Sequence, residues 1–369
     1  DWVVWGRDLS HSRTLPEGQG PGRGIKIWEF ATGGPIHSSP AVAGDTLYVG
    51  SRDGYLYALE VATGRLKWRF QTESWVDSSP AVVGGVVYVG SNDGRLYALR
   101  AASGEKLWEF KAVYAVTSSP AVAGGLVFIG SDDGRVYAVD AATGAQKWQF
   151  DTDSYVGSSP AVAQGILYIG ATNGTFYFLN AATGVERWQY RTFSLINSSP
   201  AVAQGKVFFG AEDGKMRVLE AMAQGPAWEG VVRTVWSWIY RWGYQVPPPP
   251  PQSGWLWDFK AKGPVASSPA IDEDSAYVGS DDGRVYAIDL NTRQKRWDFA
   301  TAGSVQSSPA VAGGLVFIGS DDGYLYALDT ATGQKRWAFA TAGKITSSPA
   351  IAGDTLYVGS HDGKVYAIQ

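Results

Sequence analysis

Short apolar runs, broken by turn residues at regular intervals, organise the chain. Residues 116–150, VTSSPAVAGGLVFIGSDDGRVYAVDAATGAQKWQF, show one unit. Four β-rich segments stand between turn signals. VTSSPAVA ends at Gly124-Gly125, LVFIGS at Asp132-Asp133-Gly134, RVYAVD at Thr143-Gly144, and KWQF closes the unit. Asp-Gly and Gly-Gly pairs supply the positive φ angles that tight hairpins require. The apolar residues alternate or run in short stretches without 3.6-residue spacing, which excludes a helical solenoid. Ser-Ser-Pro recurs at Ser38, Ser78, Ser118, Ser158, Ser198, Ser267, Ser307 and Ser347. Every interval is 40 residues except one of 69, which holds an insertion of 29. Four strands in a period near 40 make one propeller blade, so eight copies predict an all-β, eight-bladed propeller.

The two ends of the chain explain how such a ring closes. The last copy stops at Val365-Tyr366-Ala367-Ile368-Gln369 and lacks its Trp-bearing fourth strand. A surplus strand stands at the other end, in Ile27-Trp28-Glu29-Phe30. Pairing the two removes two exposed sheet edges at once. The predicted organisation is a lead-in over residues 1–24, a single ring over 25–369 with 25–30 completing the last blade, and an insertion over 221–254 in the fifth blade. The closed ring is read as a monomer.

Within the insertion, Trp228 and Trp257 compete for the outer strand, and the flanks of Trp257-Asp258-Phe259 match the repeat better. Between them, GVVRTVWSWIYRWGYQV places Val231, Val235, Trp238, Ile239 and Trp242 at helical spacing, which predicts a helix of about three turns with a wide apolar face. Five prolines over 247–251 follow as a stiff spacer. Three readings fit this segment. It is a flap on its own ring; or a helix docked on a protein partner through Val235, Trp236, Trp238, Ile239 and Trp242; or an interfacial membrane helix over 231–242.

Composition narrows the function classes. The formal net charge of −4 gives no basic face for nucleic acid. The absence of cysteine excludes disulfides, thiolate metal sites and cysteine nucleophiles. A chain starting at Asp1 without a signal-like segment reads as a mature or trimmed product. No run of about 18 apolar residues predicts a transmembrane helix.

Residues 138–148, AVDAATGAQKW, fit Ala-x-Asp-x-x-Thr-Gly-x-x-x-Trp. This resembles the tryptophan-docking motif of quinoprotein (PQQ-repeat) propellers, and close versions end at Trp68, Trp108, Trp188, Trp297 and Trp337. Residues 1–8, DWVVWGRD, resemble the segment before the first blade of that family. Trp297-Asp298 occurs, but no repeat carries the Gly-His partner of WD propellers. The resemblance implies that Trp28, Trp68, Trp108, Trp148, Trp188, Trp257, Trp297 and Trp337 dock between blades, and that the protein is extracytoplasmic. The family holds quinone-dependent dehydrogenases, the outer-membrane-protein assembly lipoprotein and kinase sensor propellers. Its dehydrogenases stack the quinone between a Trp and a disulfide of adjacent cysteines, bind Ca²⁺ and use an Asp base. A chain without cysteine cannot make that clamp, so no cofactor, metal or catalytic residue is assigned. A non-catalytic binding or scaffolding ring is the favoured reading, with a PQQ dehydrogenase and a peripheral membrane binder as alternatives. An engineered or recently amplified ring without an evolved ligand is a further one.

Asp53, Asp93, Asp133, Asp213, Asp282, Asp322 and Asp362 precede glycine at hairpin tips, where Asp serves the turn. The Ser-Ser-Pro serines are read as satisfying backbone or neighbouring-blade groups. His11, His37 and His361 stand in no triad spacing. Repeat-to-repeat differences say more. Before each Ser-Ser-Pro a constant Val or Ile (Ile36, Val76, Val116, Val156, Ile196, Val265, Val305, Ile345) has variable flanks. One flank reads Pro35, Trp75, Ala115, Tyr155, Leu195, Pro264, Ser304, Lys344, and the other His37, Asp77, Thr117, Gly157, Asn197, Ala266, Gln306, Thr346. Alternation buries the constant residue and turns both flanks to the channel mouth. Trp75, Tyr114, Tyr155 and Leu195 then form an apolar arc on blades two to five. That arc is either a partner-binding surface or drift at a solvent-facing strand end.

Overall fold

In the computed structural model, residues 8, 10, 11, 13, 14, 20–225, 232, 235, 236, 239, 242 and 252–369 are described. Eight four-stranded antiparallel sheets form the ring. Blade I runs outward through Ala41–Ala43, Thr46–Gly50, Tyr55–Glu60 and Leu66–Gln71. Blades II to VII repeat that order. Blade VIII takes its outer strand from Lys26–Ala31, which pairs with Lys364–Ile368. The ring therefore closes by the N-terminal strand. In blade V the outer strand is Trp255–Lys260, with Trp257 opposite Val218. Trp228 and prolines 247–251 lie outside the described residues.

The inner strand is shorter than the sequence suggests. It spans three residues (Ala121–Ala123 in blade III), and Ser-Ser-Pro precedes it instead of belonging to it. Proline has no N–H to give a ladder, and the serines bond sideways. Ser39 N–H donates to Ser79 Oγ of the next blade at 2.9 Å. The same bond links Ser79 to Ser119, Ser119 to Ser159, Ser159 to Ser199, and Ser199 to Ser268. It then links Ser268 to Ser308 and Ser308 to Ser348, and Ser348 N–H returns to Ser39 Oγ at 2.9 Å. Eight buried N–H groups are thus satisfied by one closed circuit, as buried polar groups must be. The first serine turns inward: Gly50 N–H donates to Ser38 Oγ at 3.1 Å.

Blades touch through an apolar layer. The constant Val or Ile of each linker is fully buried, and a glycine of the preceding sheet makes room for it. A Cβ on Gly50 would stand 2.4 Å from Val76 Cγ1. Further out, Trp28 Nε1–H donates to Val61 O at 2.9 Å, and Trp68, Trp108, Trp148 and Trp297 donate to Ala101, Ala141, Ala181 and Thr330. Each indole lies on a glycine with positive φ; a Cβ on Gly64 (φ 72°) would approach Trp28 to 2.5 Å. Trp188 and Trp257 are buried as well. Trp337 meets Gly24 of the lead-in, and among the described residues its buried indole N–H has no hydrogen-bond acceptor.

The lead-in reaches the inner wall. Val202 N–H donates to Ser10 O at 2.7 Å and Val311 N–H to Arg13 O at 2.8 Å. Thr14 pairs in parallel with Val311, and its Oγ1 donates to Ile271 O. Ser10, Arg13 and Thr14 therefore reach the inner strands of blades V to VII. His11 is buried there with Nδ1 2.8 Å from Pro200 O. Burial, with Arg13 beside it, lowers its pKa to about 4.

Candidate partner-binding rim

The rim is built by the linkers between blades and by the hairpins joining each blade's second and third strands. The linker entering blade II is pinned at both ends. Thr72 N–H and Oγ1 donate to Gly54 O of the blade just left, at 2.8 and 2.9 Å. Glu73 N–H then donates to Asp93 Oδ2 of the blade being entered, at 3.0 Å. Asp93 also accepts from Arg95 N–H at 2.9 Å and from the Tyr97 hydroxyl at 2.8 Å. Burial first, then this bond to Asp93, raises the Tyr97 hydroxyl pKa. Asp53, Asp133, Asp282, Asp322 and Asp362 hold the equivalent tyrosine hydroxyls. Asp213 instead holds Arg217. These carboxylates are engaged in shaping hairpins.

What remains free to vary faces solvent. Trp75, Tyr114, Tyr155 and Leu195 are exposed, and Val113 and Phe193 join them; the six range from 48% to 65% exposure. They sit on the linkers entering blades II, III, IV and V. The remaining linkers carry Pro35, Pro264, Ser304 and Lys344 at the equivalent position. Phe193 has φ 58°, a left-handed backbone that costs a bulky L-residue about 1 kcal/mol or more. Phe193 thus holds a large ring out in water on an uncommon backbone conformation. The sequence reading omitted Val113 and Phe193 because they lie further out than the flanks it compared.

It also omitted a second ring of variation, one residue before the hairpin aspartates: Arg52, Asn92, Asp132, Thr172, Glu212, Asp281, Asp321 and His361. The same repeat comparison, applied to that column, finds it. Arg52 donates from Nε and Nη2 to the two Asp77 oxygens at 2.8 and 3.1 Å and lies 4.7 Å over the Trp75 ring. Asp77 also accepts from Asn92 Nδ2. Thr117 Oγ1 donates to Asp132 at 3.0 Å, and burial raises the Asp132 pKa. Burial likewise raises Asp281, with Glu212 and Asp321 adding to it. At the seam between blades VIII and I, the His37 and His361 rings lie against each other, centroids 4.0 Å apart and tilted by 31°, and His361 Nε2 lies 2.8 Å from Thr346 Oγ1. Burial, then the charge of His361, lowers His37 to about 4; burial also lowers His361.

Of the inserted segment, Val232, Val235, Trp236 and Ile239 are helical. Val232, Val235, Ile239 and Trp242 are exposed, and Trp236 is half-buried. Val231 and Trp238 lie outside the described residues. Among the described residues, no helix is long and apolar enough to cross a membrane.

The residues present do not fit the quinone centre of the family's dehydrogenases. The chain has no cysteine for the clamp. Among the described residues no three His, Asp or Glu side chains come together as a metal set.

Comparisons with known proteins agree with this architecture. BamB from Moraxella catarrhalis superposes with a TM-score of 0.74 at 19% identity, over 94% of this chain and 97% of that one. The computationally designed Ika8 protein gives 0.75 at 20% identity, over 95% and 99%. A europium-containing methanol dehydrogenase gives 0.79 at 17%, over 98% and 90%. At such identities these likenesses speak for the fold alone. No curated protein sequence matches the chain. The family model described as outer membrane protein assembly factor BamB matches residues 19–154, 132–237 and 250–369, taking in the strands of every blade. The repeats thus carry a family signature as well as a fold, and the chain belongs to the BamB family of outer membrane protein assembly factors.

Proposed function

We propose that this chain is a non-catalytic, extracytoplasmic scaffold that receives a protein partner on the rim arc of Trp75, Tyr114, Tyr155 and Leu195, extended by Val113 and Phe193. The asymmetry of the rim carries the reading. Six large apolar side chains stand exposed on four neighbouring linkers, whereas the other four hold proline, serine or lysine at the matching position. Contiguous exposed aromatics are interface anchors. The family's description as an assembly factor supports a partner-binding role. The exposed residues Val235, Ile239 and Trp242 supply a second contact, with half-buried Trp236 in the same segment; Trp238 is proposed to join them.

A photo-crosslinking amino acid at positions 75, 155 and 195 tests the arc, with position 185 on the opposite rim as control. Val185 is as exposed as Tyr155. Adducts with a discrete partner at the three arc positions and none at 185 are expected. Adducts at 185 alone, or at none of the four, would remove the proposal.

A further inference from the structure

The Tyr114–Tyr155 cleft points to the chemistry of the partner, an inference that rests on the rim arc being a protein-binding surface. One station of the rim shows a complete three-part arrangement. The Arg52 guanidinium lies over the Trp75 ring at 4.7 Å and against both Asp77 oxygens. An aromatic face and a carboxylate together hold a planar cation. Two blades further on, the repeat places Asp132 where Arg52 stands, Tyr155 where Trp75 stands, and Gly157 where Asp77 stands. Here the ring and the carboxylate are both supplied, and the cation is not.

The surroundings make this a receptacle. Tyr114, Tyr155, Asp132, Asp133 and Asp153 line an open cleft of about 350 Å³. Its two tyrosine rings are 64% and 65% exposed. Asp133 is engaged by Tyr137 and Val113 N–H. Asp132 accepts one hydroxyl, from Thr117, and burial disfavours its charge while no cation offsets it. Asp153 is exposed on a left-handed backbone (φ 58°) beside the cleft. Arg135 of the same blade turns to Asp151 at 3.8 Å. Among the described residues, neither Asp132 nor Asp153 has a Lys or Arg within ion-pair distance. We propose that the cleft takes an arginine side chain of the partner protein, its guanidinium against the two tyrosine rings and between Asp132 and Asp153. Arginine suits it better than lysine, because the guanidinium is planar, weakly hydrated and stacks on aromatic faces.

The test titrates the full chain with acetyl-Gly-Gly-Arg-Gly-Gly-amide and with its uncharged citrulline analogue, read by NMR of labelled tyrosines. The arginine peptide should shift the Tyr114 and Tyr155 signals saturably, and the citrulline peptide should not. Binding should weaken roughly threefold to fivefold in Tyr155→Leu, and by about as much in D132N/D153N. Both asparagines keep an acceptor oxygen, and Asn tolerates the left-handed backbone at position 153; an unchanged melting temperature checks the fold. Higher salt should also weaken binding. Equal shifts from both peptides, or arginine shifts that ignore the variants, would overturn the inference. Crosslinks on the arc without an arginine-dependent shift would leave the scaffold and remove the cation site. Arginine binding without crosslinks would leave the cation site and remove the scaffold.

Discussion

The inner wall and the rim are made from the same forty-residue unit, yet they have been treated differently. At the wall, the second serine of Ser-Ser-Pro is the same in all eight copies, because each one accepts a hydrogen bond from its counterpart in the neighbouring blade. A change in one copy leaves the next unsatisfied. At the rim, the positions of Trp75 and Arg52 vary from copy to copy, and their side chains end in solvent or on local partners. The repeated scaffold is set by contacts between equivalents, and individuality is confined to atoms that no equivalent touches.

Three perturbations would break or sharpen that contrast. The largest effect is expected at Gly50, a wall position where an added Cβ would lie 2.4 Å from Val76 Cγ1 and 2.5 Å from Val76 O. Gly50→Ala should cost about 3 kcal/mol, read from the urea midpoint; an unchanged midpoint would mean that the blades are not close-packed there. The second effect concerns a rim pair that behaves like wall. His37 and His361 have folded pKa values below the ordinary 6.5, His37 at about 4. The unfolded chain therefore binds more protons, so stability is full above pH 6.5 and falls as the pH drops toward 4. Arg52, Lys344, Asp77 and Asp321 surround the pair and set its charge balance. H37Q/H361Q should shrink the stability loss between pH 7 and pH 4 by about 2 kcal/mol, after discount for partial exposure. A parallel loss in parent and variant would assign the slope to other groups, His11 and the ion-paired aspartates among them. The smallest effect is expected for Ser79→Ala, which leaves Ser39 N–H without its acceptor. A cost of about 1 kcal/mol is expected, with faster amide exchange at Ser39 as the local readout; protection equal to the parent's would mean that the bond is dispensable.

Much of the ring was legible in advance, because a repeated pattern reports its own geometry. The 40-residue period counts the blades, and the missing and surplus strands at the two ends predict the pairing of Lys26–Ala31 with Lys364–Ile368. The inner strand was overestimated, since Ser-Ser-Pro is β-compatible in sequence but its N–H groups run across blades. The wall contact of Ser10, Arg13 and Thr14 left no trace in the sequence, for a single passage through a ring repeats nothing. At the rim, comparison of the linker copies brought out Trp75, Tyr155 and Leu195, whereas Arg52 and Asp132 sit in a hairpin whose neighbouring aspartate masks them with ordinary turn chemistry.

The seam of blade VIII has a consequence in time. Trp28 pairs with Ala367, so nearly the whole chain lies inside the loop that this pairing closes. Loop entropy makes that closure cost about 3 kcal/mol more than closing a loop of about ten residues. Blades I to VII can form from neighbours in sequence, but Lys26–Ala31 cannot find its sheet until Lys364–Ile368 has been made. Until the final hairpin arrives, that strand remains an open edge.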